Sequence, residues 1–298
     1  MYCLSCGNTL FRLVTISILS LLSALSWTVC AYCEPSPFAT LQERLVRDGF
    51  DKSTIRALYS RPETTFDQKS ITAYFLHRES TLNYDQFLTR SSIGDAAAYL
   101  RKHGMALQQV RELYGVQGEI VTAILLVESR LGTYKSKRLV FKTLSNLAAI
   151  DDTANRDMLW GDYVKDRSPG TKDKFDKWAR RKSAWAYREL KAYLKYVEAQ
   201  NLDPLSLRGS YAGALGFAQF IPSSVLKFGI DGNKDGQINL CQHRDAIESV
   251  ANYLKRHGWK PQQSRDEAFR VLLCYNHSKY YADTILEVAE RLSGNRRK

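Results

Sequence analysis

Apolar residues recur every three or four positions along most of this chain, and this spacing constrains its fold more than any other feature. Between residues 36 and 115 the recurring positions include Leu41, Leu45, Ile55 and Leu58, with turn signals between them. No stretch of useful length alternates apolar with polar residues as a strand would. The sequence therefore predicts an all-α, mainly helical protein with a helical N-terminal region over residues 32–115.

Further helices are predicted over residues 116–298, which we interpret as the main domain. They cover residues 120–131, 184–199, 244–258 and 266–292, and Gly132 suits the C-cap of the first. Residues 151–182 are rich in Asp, Lys and Arg and contain Ser168-Pro169-Gly170, so we expect an exposed excursion with a solvated charged face.

Residues 1–31 carry the pattern of a secretory signal peptide. Arg12 precedes an apolar run over residues 13–25, and the small residues Val29 and Ala31 precede a cleavage site. A retained membrane anchor is the alternative, although the run is short for a spanning helix. We therefore expect an exported protein of the periplasm or cell envelope.

The chain carries a formal net charge of +12, which suggests a polyanionic partner. Nucleic acid, an anionic envelope surface and a cell wall that carries carboxylates all have this chemistry. Export argues against nucleic acid, so we expect contact with the cell envelope. Protein partners are not indicated.

Four cysteines bear on the compartment and on cross-linking. Cys241 and Cys274 lie in the main body, where a disulfide and two buried free thiols are the alternatives. Neither Cys30 nor Cys33 has the small-residue context of a lipid-anchored cysteine, so a lipid anchor is not favoured. No cysteine spacing typical of a metal site is present.

Glu128 lies on an apolar helical stripe. Val121, Ile124 and Leu125 precede it by seven, four and three residues and share its helix face. Burial among apolar side chains disfavours the charged form of a carboxyl group, so we expect a raised pKa, as a general acid requires near neutral pH. A structural glutamate paired with Arg130 is the alternative, and the isolated pattern favours it.

The segment Gly209–Ser224 combines glycines with aromatic and polar side chains. Small residues allow backbones to approach closely, and the aromatic faces of Tyr211 and Phe217 suit sugar rings. A tight helix crossing with ordinary core aromatics is the alternative. It explains the glycines but gives no reason for Gln219.

A carboxylate-rich loop begins at residue 231 and matches the start of an EF-hand calcium loop. Oxygen-bearing side chains occupy loop positions 1, 3 and 5, and Gly236 occupies position 6; the three are Asp231, Asn233 and Asp235. Position 12 holds Gln242 instead of glutamate, and Asp245 could supply the missing carboxylate. We expect bound Ca²⁺ and no organic cofactor, with an Asx-rich turn as the alternative.

Five blocks, in this order, resemble the lytic murein transglycosylase B family, over most of the chain after residue 31. They are Val127–Gly132, Gly209–Ser224, the loop from Asp231, Ser249–Tyr253 with His257–Trp259, and Tyr275–Ser278. The resemblance implies a lysozyme-like catalytic core over residues 116–298 that includes an EF-hand-like calcium loop at 231–245. It also implies cleavage of peptidoglycan glycan strands between N-acetylmuramic acid and N-acetylglucosamine.

The resemblance further implies that Glu128 acts first as acid and then as base. The substrate's own C6 hydroxyl replaces water, so the product carries a 1,6-anhydromuramoyl end and no second catalytic carboxylate is needed, unlike in most glycosidases. Carried over by position, Ser210, Gln219, Asn276 and Tyr281 would line sugar subsites beside Tyr211 and Phe217. Calcium would be held by Asp231, Asn233, Asp235, Gln237 through its backbone carbonyl, and Asp245.

Three other functions remain as alternatives. A hydrolytic muramidase would cut the same bond with water, and a non-catalytic peptidoglycan-binding protein would keep the groove without turnover. A calcium-regulated interaction protein would make the 231–245 loop central, but a single loop without glutamate at position 12 is poorly suited to a sensor.

Overall fold

The computed structural model describes residues 36–76, 83–166 and 170–294, and their backbone is mainly helical. The helices are α1 (Ala39–Arg47), α2 (Lys52–Ser60), α3 (Gln68–Leu76), α4 (Arg90–Lys102), α5 (Gly104–Tyr114), α6 (Gly118–Ser129), α7 (Val140–Ala149), α8 (Thr153–Leu159), α9 (Lys172–Ala199), α10 (Pro222–Phe228), α11 (His243–Arg256), α12 (Arg265–Tyr275) and α13 (Lys279–Leu292). The predicted mainly helical class is confirmed.

Two very short strands interrupt the helices. β1 (Arg138–Leu139) and β2 (Arg208–Gly209) pair in antiparallel register, with Arg138 opposite Gly209. This pairing was not predicted, because two residues are too few to show alternation. It brings the chain before α7 against the chain after α9.

The N-terminal region is helical, as predicted. Leu41 and Leu45 of α1 and Ile55 and Leu58 of α2 are all buried. The Asp51 side chain caps α2 by accepting a hydrogen bond from the backbone of Thr54 at 2.8 Å. The periodic leucines and isoleucine are therefore core residues.

Helix α6 lies at the centre of the bundle and packs against α4, α5, α11 and α13. Most of its side chains are buried, which agrees with an almost continuously apolar sequence. The predicted end of this helix at Leu131 is wrong. The helix ends at Ser129, because Arg130, Leu131 and Gly132 all take left-handed backbone conformations, with φ of 48°, 59° and 85°.

Residues 151–182 are largely exposed, as predicted, but the prediction that the following helix begins only at residue 184 is wrong. Most of this segment is helical, since α8 is followed by a π-helical turn at Trp160–Val164 and α9 begins at Lys172. Leu159, Val164, Phe175 and Ala179 are buried. These apolar residues form the inner face of the helices. The overall composition of the segment is dominated by charged residues and does not show this pattern.

The helix predicted over residues 266–292 is divided in two. Helix α12 ends at Tyr275, and the Ser278 side chain caps α13 by accepting from the Tyr281 backbone at 3.3 Å. The break places Tyr275 and Tyr281 on separate helices. The predicted helix over residues 244–258 is observed as α11.

Residues 37–298 form one compact unit, and the predicted boundary at residue 115 stays a prediction. No helix in the described ranges is both long and apolar enough to span a membrane. Cys241 and Cys274 are free and exposed, so neither the disulfide nor the buried-thiol alternative holds. The predicted signal peptide, Cys30, Cys33, Ser168 and Pro169 lie outside the described residues.

Candidate active site

Glu128 lies in the last turn of α6, where the buried helix reaches the surface. Val121, Ile124 and Leu125 are fully buried, whereas Glu128 is half-buried. The predicted apolar face therefore surrounds the base of this side chain and leaves part of it accessible. The raised pKa of its carboxyl group stays a prediction.

Tyr281 lies beside Glu128 on α13, which packs along α6. Burial raises the pKa of the Tyr281 hydroxyl well above its ordinary value, and the charge and hydrogen-bonding capacity of Glu128 raise it further. The hydroxyl is buried, and Glu128 is the one group in the described part of the chain with which it interacts as a hydrogen-bonding partner. Tyr281 therefore stays protonated and keeps a donor next to the carboxylate.

Tyr275 approaches the same carboxylate from the end of α12. Its hydroxyl donates a hydrogen bond to the backbone carbonyl of Ala218 at 2.6 Å. Burial raises the pKa of Tyr275 well above its ordinary value, and the Glu128 charge adds to this. Tyr275 thus joins the Gly209–Ser224 segment to the surroundings of Glu128, a role that the sequence did not reveal.

The Gly209–Ser224 segment approaches other backbone so closely that side chains would clash. A Cβ atom on Gly209 would lie 2.3 Å from the Ala214 carbonyl oxygen. Gly216 has a φ of 65°, and a Cβ atom there would lie 2.3 Å from Cβ of Leu240. Close packing, the alternative weighed for this segment, therefore accounts for these glycines.

Phe217 lies over the chain that follows Glu128. A Cβ atom on Gly132 would be 2.9 Å from the Phe217 ring, so the absence of a side chain at Gly132 allows this contact. The ring of His243 also lies beside the Phe217 ring, and the two ring centroids are 4.8 Å apart. Phe217 is half-buried and so leaves part of its surface free for a ligand.

Ser210 and Gln219 have local structural roles. The Ser210 hydroxyl oxygen accepts hydrogen bonds from the backbone of Ala212 at 3.2 Å and of Ala214 at 3.1 Å. Gln219 has a φ of 49°, and its amide nitrogen donates to the Gly216 carbonyl at 2.7 Å. Gln219 also lines the adjoining cleft.

Two clefts border on Arg208. The Phe217 cleft has a volume of about 460 Å³ and is lined by Gly132, Phe217 and Gln219 among others. The Tyr74 cleft has a volume of about 260 Å³ and contains Tyr211. Of the residues predicted to bind sugar, Phe217 and Gln219 thus line the same cleft, and Tyr211 lines the neighbouring one.

The remaining predicted residues lie elsewhere. Tyr281 is beside Glu128, and Asn276 is half-buried at the C-cap of α12, directly after Tyr275. Ser210 and Asn276 line neither of the two clefts named above.

The predicted calcium loop is folded around its own carboxylates. The Asp231 carboxylate accepts backbone hydrogen bonds from Asp235 at 3.1 Å and from Gly236 at 2.8 Å. Lys234 and Gly236 are left-handed, with φ of 62° and 87°, which makes the sharp turn. Gly236 and the oxygen-bearing side chains thus occupy the turn positions that the sequence predicts.

Asp245 closes the loop from the first turn of α11. Its carboxylate is fully buried and accepts backbone hydrogen bonds from Gly232, Asn233 and Asn239 at 3.1, 3.3 and 2.7 Å. Burial raises the pKa of Asp245, and the charge of Asp231 adds to this. Within the described ranges, however, no three Asp, Glu, His or Cys side chains are grouped as ligands of one metal ion. The loop side chains have the donor type and the order that a calcium loop requires, but in the described residues they are not gathered around one point as metal ligands would be.

A comparison with protein families shows to which family the chain belongs. The family described as "Transglycosylase SLT domain" matches residues 35–267. The chain belongs to this family. The match includes Glu128, both clefts and the loop at residues 231–245.

Individual members of the family were also compared with this chain. Membrane-bound lytic murein transglycosylase B of Escherichia coli K12 is 32% identical over 174 residues, which is 58% of this chain and 40% of that protein. The chain thus spans less than half the length of this relative.

Two solved structures share the fold. Soluble lytic transglycosylase SltB1 from Pseudomonas aeruginosa superposes with a TM-score of 0.69 at 24% identity, covering 86% of this chain and 97% of that one. Lytic transglycosylase Slt35 from E. coli, in complex with calcium, superposes with a TM-score of 0.70 at 22% identity, covering 88% and 94%. Both likenesses show that the chain has the same fold as these two structures.

Several side chains at these sites were not predicted from the sequence. They are Tyr74, Arg138, Lys142, Arg208 and Tyr275. They come from four distant parts of the chain, and no spacing relates them. The block Tyr275–Ser278 was the available signal in the sequence, and it pointed to Asn276 rather than to Tyr275.

Proposed function

We propose that this protein is a lytic transglycosylase of peptidoglycan, with Glu128 as its catalytic acid and base. The observation that carries the proposal is the position of Glu128, half-buried at the end of an apolar helix and beside the buried hydroxyl-bearing rings of Tyr275 and Tyr281. This environment suits a carboxyl group that must be protonated in one step and ionised in the next.

In the first step, Glu128 protonates the oxygen of the β-1,4 bond between N-acetylmuramic acid and N-acetylglucosamine. In the second, its carboxylate takes the proton from the C6 hydroxyl of the muramoyl residue as that oxygen attacks C1. The C1–O4 bond breaks, the C1–O6 bond forms, and the product ends in 1,6-anhydromuramic acid. Water is not consumed. Glu128 gives one proton to the glycosidic oxygen in the first step and regains one from the C6 hydroxyl in the second, so it ends in its starting state.

Tyr281 supports the ionised state in this scheme. Its hydroxyl remains protonated because burial and the Glu128 charge both raise its pKa. A neutral hydroxyl can donate to the carboxylate but cannot compete with Glu128 for the substrate's proton. We therefore assign Tyr281 a positioning role.

The glycan strand would occupy the Phe217 cleft, whose lining includes Gly132, four residues after Glu128 along the chain. The exposed part of the Phe217 ring and the side-chain oxygen of Gln219 offer a stacking face and a hydrogen-bond acceptor for a sugar. Tyr211, Ser210 and Asn276 complete the proposed set of subsite residues.

Digestion of purified peptidoglycan tests the proposal. The wild-type protein should release muropeptides with 1,6-anhydro ends, which are 18 Da lighter than the hydrolysed products, a difference that equals roughly one water. Glu128→Gln should bind the same material but release none. Products with reducing ends would indicate a muramidase, and equal activity of the variant would exclude the assigned role.

We also propose that calcium stabilises the loop at residues 231–245. Asp231, Asn233, Asp235, the Gln237 carbonyl and Asp245 would hold the ion. The proposal is supported by the closeness of the two carboxylates in the loop: after burial, the charge of Asp231 also raises the pKa of Asp245. A cation would offset this repulsion, and the related Slt35 structure is a calcium complex.

The proposed place of action is the cell envelope. The signal-peptide pattern of residues 1–31, the net charge of +12 and the membrane-bound relative all support export to a wall that carries carboxylates.

A further inference from the structure

The outer face of α9 carries a long row of positive charge. Lys174, Arg181, Arg188 and Lys195 recur every seven residues along this helix, and all four side chains are exposed. Seven residues make about two helical turns, so each side chain lies above the previous one with a drift of about 20°. The rise of about 1.5 Å per residue makes the row roughly 31 Å long. We call these four residues the α9 basic row.

The charges of the α9 basic row are not neutralised within the protein. None of its four side chains takes part in an ion pair in the described part of the chain. The ion pairs of α9 involve other basic residues, among them Lys177 with Asp173 at 2.9 Å and Lys191 with Asp48 at 2.6 Å. The full positive charge of the row is therefore available to a partner.

The acidic residues of α9 do not oppose the middle of the row. Between residues 177 and 197 the helix has one acidic residue, Glu189, which is buried. Its carboxylate accepts hydrogen bonds from the Ser223 backbone and hydroxyl, both at 2.9 Å, and so contacts the start of α10. Asp151, which contacts α9 from outside the helix, is paired with Arg44 at 3.1 Å. These carboxylates are thus engaged elsewhere and leave the row electropositive.

Trp185 lies within the same helix face. It follows Arg181 by four residues and precedes Arg188 by three, which places the three side chains together on the surface of α9. The indole ring is half-buried, and Nζ of Lys182 lies 5.5 Å from its centroid. Tryptophan is enriched where a membrane meets water, because its ring has an apolar body and a polar N–H group. The face therefore combines cations with a residue type that is typical of membrane interfaces.

The position of the row distinguishes it from the proposed glycan site. None of its four residues lines the Phe217 cleft or the Tyr74 cleft. A small ligand or a short peptide needs a concave site that encloses it, whereas a flat anionic surface can meet every cation of a straight row at once. The predicted export brings the protein to such a surface.

We propose that the outer face of α9 docks on a membrane surface that carries anionic phospholipids. The α9 basic row contacts the phosphate groups, and Trp185 lies at the level of the headgroups. This contact is separate from the proposed catalytic function, because neither Glu128 nor the Phe217 cleft takes part in it.

Binding to lipid vesicles tests the proposal. The full chain is mixed with vesicles of phosphatidylcholine alone and with vesicles of equal parts phosphatidylcholine and phosphatidylglycerol, and the bound fraction is measured by sedimentation. The ratio of the two partition coefficients reports the electrostatic contribution and cancels any contribution of the apolar run over residues 13–25. We expect stronger binding to the anionic vesicles, and added salt should lower the ratio.

Arg181→Ala with Arg188→Ala should lower this ratio roughly tenfold to thirtyfold, the loss expected for two basic side chains near an anionic surface. Arg181→Lys with Arg188→Lys keeps the charge and should keep the ratio. The matched control is Lys255→Ala with Arg256→Ala, which removes the same charge from an exposed part of α11. This control should retain most of the ratio, because its charges lie outside the row.

Three results would overturn the proposal. They are an unchanged ratio in Arg181→Ala with Arg188→Ala, an equal loss in the α11 control, and a loss of binding to purified peptidoglycan, measured in a Glu128→Gln background, that vesicles do not show. The second would mean that net charge alone governs binding, and the third would assign the row to the wall polymer. All variants that keep Glu128 should cleave soluble glycan strands equally, so a failure of the proposed function would be seen separately.

Discussion

The Tyr275 hydroxyl donates a 2.6 Å hydrogen bond to the carbonyl of Ala218, a residue that is fully buried. This bond ties the end of α12 to the Gly209–Ser224 segment beside Glu128. Tyr275→Phe removes the donor and leaves a buried carbonyl unpaired, so we expect the free energy of unfolding to fall by about 1–3 kcal/mol. Thermal unfolding measures the loss, and Tyr280→Phe, at a ring that is 76% exposed, is the control. Equal melting temperatures for both variants would contradict the structural role.

Tyr281→Phe should affect catalysis more than stability. Among the described residues the Tyr281 hydroxyl interacts with Glu128 and with no other hydrogen-bonding group, so its removal leaves no other buried group newly unpaired. Loss of a donor to a charged group contributes roughly 1.5–3 kcal/mol, so we expect kcat to fall about ten- to a hundredfold. The neutral hydroxyl favours ionised Glu128, and Glu128 must be protonated for the first step. The alkaline limb of the pH profile should therefore move to higher pH in the variant. An unmoved profile would mean that Tyr281 only packs.

Acid should destabilise the protein through His103. Burial lowers the pKa of His103 to about 4, and the charges of His243 and Lys102 lower it further. The ring of His103 lies 4.5 Å from that of His243, which accepts or donates at Nδ1 with the Tyr99 hydroxyl at 3.0 Å. The unfolded chain binds protons first as the pH falls below about 6.5, so stability present above that value is lost toward pH 4.

The measurement for His103 is the melting temperature between pH 7 and pH 4.5. His103→Gln should lose less of its melting temperature over this interval than the wild type does. His277→Gln, at an exposed position, should follow the wild type. Parallel curves for all three proteins would show that other groups govern the acid response.

Calcium should raise the melting temperature of the wild-type protein, because the ion offsets the repulsion among the loop carboxylates. Asp235→Ala removes one oxygen ligand at loop position 5 and should abolish the difference between calcium and chelator. Asp95→Ala, on the exposed face of α4, should retain it. A melting curve that chelation leaves unchanged in the wild type would remove the case for a metal.

Gly216→Ala should be strongly destabilising. Its Cβ atom would lie 2.3 Å from Cβ of Leu240 and 2.5 Å from the Leu240 carbonyl oxygen, at a φ of 65°. We expect a loss of about 2–4 kcal/mol on chemical denaturation. Gly94→Ala, where nothing lies within 4 Å of the new atom, should instead gain about 0.4–1 kcal/mol. A neutral Gly216→Ala would mean that the segment relaxes without cost.

Much of the fold follows from local pattern. The periodic apolar residues of α1 and α2 are buried where the spacing predicts, and the apolar run before Glu128 is the central helix. The predictions failed at helix ends and in charged segments. Arg130 and Leu131 adopt left-handed conformations that depend on surrounding contacts. In the first half of α9, the buried Phe175 and Ala179 lie among many charged residues.

The sequence by itself determined the helical class, the apolar setting of Glu128 and the order of oxygen-bearing side chains in the loop from Asp231. Each of these depends on residues within one or two helical turns, where backbone geometry alone relates the side chains. Tertiary structure decided what surrounds them. The Tyr275 and Tyr281 rings beside Glu128 and the charge of the Tyr74 cleft come from segments that meet only through helix packing and the pairing of β1 with β2. The spacing of residues along the chain cannot predict these contacts, because the residues that meet are far apart in sequence.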